Sequence, residues 1–428
     1  MTTSGALASS VTCWRAMGHG CNMAWEVVRV DTTRLAEGLR RAREGSRLSQ
    51  EAAAGAVGLN RVVLSYYESG KRQPSLSTLS TLAGLYGLTA ADLLAGVERP
   101  LSEATEVLFR AAPANLGERA RTGMGQFSSL VRSYVELVED MGGQLPGKQA
   151  SPFSEARPKA GWREAARLAR EVREHLGVDE GPIGDHLFEI VGDVALVFRL
   201  PLGERPESSP SGFFYNHPRA GFCIVVNSEM TLGRQVFTLA HEIAHALFHS
   251  HGVDVWISFP GAPSARERFA DLFAGELLVP ADALAKAVDE LGVWEDIADP
   301  IVTVHLQRHF GVSYATLLVR LRQEHLITQK QYEDARQISP SKLAVAMGYE
   351  VNPADLGVYE LRPLDRFPAR MLRLVHRAIS KGVVTRGDAA EILGLSLEEV
   401  LRLLDRPRAH KSELRALEEI EGGARFRR

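Results

Sequence analysis

The patterning of this 428-residue chain predicts a mainly α fold with a small β-sheet, an α+β arrangement. Apolar residues recur at helical spacing over most of the sequence. Only two runs read as strands, residues 194–200 (VALVFRL) and 222–227 (FCIVVN). A Gly-, Pro- and Ser-rich stretch at 142–160 separates a helical first part from the part that holds the strands.

At about 150 residues per domain, the length allows three domains. Apolar residues make up 45% and charged residues 24%, the profile of a globular protein. A formal net charge of −3 excludes a uniformly basic coat for nucleic acid and leaves room for a local patch. No run approaches the ~20 apolar residues of a membrane span. The opening residues lack the basic start of a secretory leader. Cys13, Cys21 and Cys223 are too few for a disulfide framework, so a cytoplasmic protein is expected. Cys13, His19 and Cys21 have no fourth ligand nearby and do not make a metal site.

Taken in order, residues 1–30 read as a tail, with Met23 an alternative start to Met1. Residues 31–97 form a first helical domain. Residues 98–158 are a connector, helical over 102–141, followed by the linker. Residues 159–327 hold the strands, and 328–428 form a C-terminal helical domain.

In the first domain Leu35, Leu39 and Ala42 mark one helix face. Ser49 caps a second helix, small Ala54 allows a close crossing, and Gly58 supplies a turn. Asn60 caps a third helix, which Gly70 ends. Leu64 and Tyr67 then point inward, and Arg61, Val62, Ser65 and Tyr66 outward. Between Arg34 and Leu76 eight Arg or Lys face four Glu, a local balance of +4 suited to phosphates.

Residues 48–94, including the G-K-R-x-P stretch at 70–74, resemble the XRE/Cro-type helix-turn-helix family. The resemblance implies a five-helix domain that binds double-stranded operator DNA. Arg61, Val62, Ser65 and Tyr66 would face the major groove, and Gln50, Asn60 and Lys71 the phosphates. Such domains read paired half-sites, so a homodimer is expected, with the 102–141 helix as its contact.

The sharpest motif is HEIAH, residues 241–245. On a helix His241 and His245 project from one face toward a single zinc ion, and Glu242 stands beside them to take a proton from water. Two residues compete as third ligand. His251 has the right spacing for a chain that breaks after the motif, yet Phe248 stands where that break needs Gly. Glu267 lies twenty-two residues after His245 on a second helix, in RERFADLFAGELLVP (266–280), and is preferred. Glu276 is about two and a half turns further along and fits less well. Two imidazoles and a carboxylate suit zinc and also manganese.

TLAHEIAHALFH followed by E-x-x-A-D-x-F-A-x-x-L-L-V-P is similar to the ImmA/IrrE family of metallopeptidases, over residues 160–325. The resemblance implies a gluzincin-like α+β domain with His241, His245 and Glu267 as ligands and Glu242 as catalytic base. It also implies cleavage of an XRE-type repressor in a stress or mobile-element response. The alternative is a non-catalytic repressor or antitoxin-like regulator whose peptidase-like domain binds a ligand or partner. No residue is identified as stabilising the oxyanion: Tyr215, His217 and His251 are candidates that read first as structural, and His249 reads as a packing or capping histidine. The helix-turn-helix pattern at 373–404 begins its last helix with Glu398 and Glu399, which phosphates repel, so packing or partner binding is its expected role.

Overall fold

The computed structural model describes residues 32–46, 48–88, 90–94, 103–113, 116–153, 161–205, 209–250, 254–261, 264–349 and 361–404. The tail expected at 1–30 lies outside them. The chain forms two compact units, Met1–Glu106 and Val107–Arg428.

The first unit is the expected five-helix domain: α1 (Thr32–Gly45), α2 (Gln50–Ala56), α3 (Arg61–Glu68), α4 (Leu76–Leu85) and α5 (Ala90–Leu94). Ser49, Asn60 and Ser75 each cap a helix by accepting a backbone N–H. Gly58 and Gly70 take positive φ at the turns. Leu35, Leu39, Ala54, Leu64 and Tyr67 meet in its core with residues of α4 and α5. Arg43 Nε donates to Glu68 Oε1 (2.7 Å), and Gln50 Nε2 to Glu68 Oε2 (2.9 Å), so one buried carboxylate ties α1, α2 and α3 together.

Beyond it the helix expected over 102–141 is two helices, α6 (Glu103–Ala111) and α7 (Glu118–Asp140). Pro113, which has no N–H to donate, and Gly117 stand in the break. The second unit continues with α8 (Trp162–His175), α9 (Leu187–Val191), β1 (Leu196–Leu200), β2 (Gly212–His217), β3 (Gly221–Asn227), α10 (Leu232–Ala244), β4 (Val255–Ser258) and α11 (Ala265–Leu278). It closes with α12 (Ala281–Leu291), α13 (Pro300–Phe310), α14 (Tyr314–Gln323), α15 (Gln329–Ala335), α16 (Pro340–Ala346), α17 (Ala369–Ser380), α18 (Arg386–Leu393) and α19 (Leu397–Leu404).

Four strands, two more than expected, form one mixed sheet of order β1-β3-β2-β4. β1 runs parallel to β3, and β2 runs antiparallel to both β3 and β4. Both faces are covered, which is why β1 and β3 are almost wholly apolar. Val197, Phe214, Ile224 and Val226 pack toward α10 and α8. Phe198, Phe213 and Tyr215 pack on Phe127 of α7. Gly123 of α7 allows the close approach, because a Cβ there would lie 2.6 Å from the Pro201 carbonyl oxygen.

The domain boundaries drawn from sequence change accordingly. The connector supplies α7, a full layer of the second unit. The first half of the linker is strapped to the β2–β3 hairpin: Gln149 N donates to Asn216 Oδ1 (3.1 Å), and Gln149 Oε1 accepts from Phe222 N (3.0 Å). Residues expected in a separate C-terminal domain are shared out. Ala335 and Ala344 join the main core, while α17 and α18 pack on α7.

Arg320 of α14 is buried against Glu276 of α11 (2.9 Å) and Glu324 (2.8 Å). Removing Glu276 leaves the buried guanidinium with Glu324 as its one carboxylate partner among these two. Glu276→Ala is expected to cost about 3 kcal/mol in urea unfolding while leaving metal content unchanged. A loss below about 1 kcal/mol would contradict the structural role.

Candidate metal centre and helix-turn-helix surface

α10 begins at Thr231, whose side chain accepts from Arg234 N, and buries Val236, Leu239, Ala240 and Ile243 in the core. His241 and His245 occur four residues apart, so the helical repeat sets them on one face. After Ala244 the winding loosens into a π-helical turn, His245–His249, a distortion common at functional sites. α11 begins at Ser264, whose hydroxyl accepts from Glu267 N (3.0 Å). Glu267 therefore stands in the first turn, where the helix end favours a carboxylate.

The crossing of α10 and α11 brings the three side chains together. His241 Nε2 lies 3.1 Å from Glu267 Oε2 and 3.0 Å from His245 Nε2, and His245 Nε2 lies 3.4 Å from Glu267 Oε1. One donor atom from each falls within 4.8 Å of the others, and all three residues are buried. Each imidazole is also held from behind. His241 Nδ1 meets Asp271 Oδ1 (2.9 Å), and His245 Nδ1 meets His249 Nδ1 (2.9 Å). A carboxylate behind a ligating histidine is the usual way to fix its ring. This donor set fits a divalent cation: three inward atoms, two of them already oriented, with no competing Lys or Arg among them.

The electrostatics agree. Burial works against charge on His241, but Asp271 and Glu267 outweigh it and push this imidazole up to about 10. Burial pushes His245 down to about 4. Burial also resists the charge on Glu267, and the hydrogen bonds from His241 and His245 overcome it, holding its carboxyl far below the usual range. Glu242 is fully buried, neither oxygen has a hydrogen-bond partner, and burial pushes it up to about 8. Such an orphaned carboxyl suits a group waiting for a proton from a reactant. Gly212 of β2 makes room for it, since a Cβ there would stand 2.8 Å from Thr238 and 3.3 Å from Glu242.

Other sequence candidates fall elsewhere. Gly212 faces α10, so strand alternation turns Tyr215 and His217 to the α7 face, away from the ligands. His217 Nδ1 accepts from Arg219 N and Ala220 N, a turn-closing role. Tyr215 and His217 therefore take the structural role, the reading preferred for them over oxyanion stabilisation. His251 lies outside the described residues, and helical winding continues past Phe248 to His249. Glu276 belongs to Arg320. Sequence reasoning passed over Asp271 as an orienting group, and it did not bring in Trp256, whose Nε1–H donates to Glu267 Oε1 (2.7 Å). Asp271, four residues after Glu267, was within reach of a helical-face argument. A cavity of about 470 Å³ borders α10 at Ile243 and the π-helical turn at Ala246 and Leu247, and none of the ligands lines it.

In the first unit Asn60, Arg61, Val62, Tyr66 and Lys71 are exposed on and beside α3, and Ser65 is half-buried. Lys71 Nζ lies 5.8 Å from the Tyr66 ring centre. Asn60 Oδ1 is occupied by Val62 N (2.8 Å). Gln50 stands apart, with its amide nitrogen turned inward to Glu68.

A helix-turn-helix domain and, in the second unit, a metallopeptidase-type α+β domain with a possible His-His-Glu metal site are what these geometries define. Comparison with known families agrees. Residues 39–93 match the helix-turn-helix family, and residues 196–322 match a peptidase family described as the IrrE N-terminal-like domain. The chain is also 45% identical over 65 residues to the HTH-type transcriptional regulator DdrOP3 of Deinococcus deserti. That match covers 15% of this chain and half the length of that relative. Among the described residues, no helix is long and apolar enough to cross a membrane.

With His241 pushed up by Asp271 and Glu267, a cation binding there would have to displace its proton. Apparent zinc affinity, measured by competition with a chelator, is expected to rise about tenfold per pH unit from pH 6.5 to 8.5. Asp271→Asn is expected to weaken it about 10- to 100-fold. A flat pH profile would show that no such proton is displaced.

Proposed function

We propose that this chain is a cytoplasmic DNA-binding transcriptional regulator whose second unit is a zinc-dependent endopeptidase. The convergence of His241, His245 and Glu267 beside a buried, unpartnered Glu242 carries the reading. His241, His245 and Glu267 hold the zinc, which supplies Lewis-acid activation when bound. Glu242 accepts the proton of the attacking water and passes it to the leaving amine. Arg61, Val62, Ser65 and Tyr66 face the major groove of operator DNA, with Asn60 and Lys71 toward phosphates. Gln50 reaches them only through what its bond to Glu68 leaves free.

The substrate class follows from combining these parts. A peptidase delivered to an operator meets the repressor bound there, so an XRE-type repressor is the proposed substrate, cut in a stress or mobile-element response. The name of the Deinococcus relative, a transcriptional regulator, supports the regulatory half. Homodimerisation is proposed from the paired half-sites such domains read. The sheet has an edge at β4, and an exposed edge can take an extended peptide as an added strand.

One observation favours the non-catalytic alternative. Glu242 is 0% exposed, so a substrate reaches it only after neighbouring groups move. A cleavage assay separates the readings. Wild type and Glu242→Gln are each loaded with zinc and incubated with XRE-type repressors encoded near the gene. Equal zinc in both, with cleavage by wild type only and a loss of at least about a thousandfold in the variant, is the expected result. Zinc in both and no cleavage, with operator DNA still bound, identifies the sensor or antitoxin-like regulator.

A further inference from the structure

Beside the three ligands stands a side chain that the donor set does not require. Trp256 sits on β4, in register with Phe214 of β2, which places its indole on the α10 side of the sheet. Its Nε1–H donates to Glu267 Oε1 (2.7 Å). Its ring stacks on His245, with centroids 4.8 Å apart and planes 19° from parallel. The Arg266 guanidinium also lies over the indole, 5.4 Å from its centre. One half-buried residue therefore touches two of the three ligands at once, by two different interactions.

The two contacts divide Glu267 between its oxygens. Oε2 lies 3.1 Å from His241 Nε2 with no indole on it, while Oε1 accepts from the indole at 2.7 Å and stands further off, 3.4 Å, from His245 Nε2. A carboxylate with one oxygen bonded to an N–H is biased to give a cation the other one only. The stack fixes the His245 plane, which His249 holds from its other nitrogen. We infer that Trp256 is a positioning residue of the metal centre, keeping Glu267 a one-oxygen ligand and locking the His245 ring. This rests on the reading of His241, His245 and Glu267 as a cation site and goes beyond it. A tryptophan that only covers the core would need the ring and not the N–H.

Trp256→Phe separates the two roles, since phenylalanine keeps an aromatic ring on the strand and removes the donor. Zinc affinity by chelator competition is expected to fall about 10- to 100-fold, with the thermal midpoint of the metal-free protein unchanged. Cobalt(II) substitution adds a signature that packing does not move. Freed of the indole, Glu267 would be able to offer the ion both oxygens, and the visible d–d bands are expected to weaken as the coordination number rises. Unchanged affinity together with unchanged cobalt bands would overturn the inference, leaving the metal site intact. Failure of wild type to bind either ion would instead overturn the cation site itself.

If the variant does not fold, wild type carries the test through its five tryptophans. With ¹⁵N-labelled indoles, one N–H resonance must shift on adding one equivalent of zinc and must exchange slowly with solvent. Five unmoved indole resonances on zinc binding would overturn the inference.

Discussion

Two imidazoles and two carboxyls stand together inside the core of the second unit, and the surrounding fold answers their cost. Isolated buried charges are expensive, and several placed together must share protons or a cation. Here the sharing is arranged by two crossing helices. α10 contributes His241 and Glu242, the π-helical turn that follows it contributes His245, and α11 contributes Glu267 in its first turn with Asp271 four residues on. The π-helical turn brings His249 against His245, and β4 lays Trp256 across both helices' contributions. Only Glu242 is left without a partner, at the position where a reactant proton has somewhere to go.

The rest of the second unit packs around this crossing and buries it. The mixed sheet packs α10 on one face and α7 on the other, so the strand residues alternate between two cores. Gly212 and Gly123 mark the points of closest approach, where any side chain would meet backbone or a packed neighbour. At the far end of α11, Arg320 pairs with Glu276 and its Nε donates to Val279 O (3.0 Å), anchoring the helix from the other side. The first unit relies on the same device on a smaller scale, one buried Glu68 serving Arg43 and Gln50.

Local signals in the sequence were read correctly where the chemistry is local. Ser49, Asn60, Gly58 and Gly70 act within a turn of where they stand, and they cap or end helices as their types require. HEIAH and the helix bearing Glu267 were legible because a helical repeat sets side-chain direction within one element. What depends on pairing between elements was not. β2 and β4 are short and mixed in composition, so their alternation is apparent only once β3 lies beside them. The facing of Tyr215 and His217 was inaccessible for the same reason, because one step of register turns a side chain to the other face. α7 looked like a connector since nothing local shows which surface a helix covers, and Trp256 had no motif to announce it.

The central claim is that His241, His245 and Glu267 form one cation site. X-ray absorption at the zinc edge of the loaded full-length protein tests it most directly. The account predicts a first shell of nitrogen and oxygen near ~2.0 Å, two imidazoles in the outer-shell pattern, and no sulfur. A sulfur ligand at ~2.3 Å, or a shell of oxygen alone, would place the metal elsewhere and contradict the account.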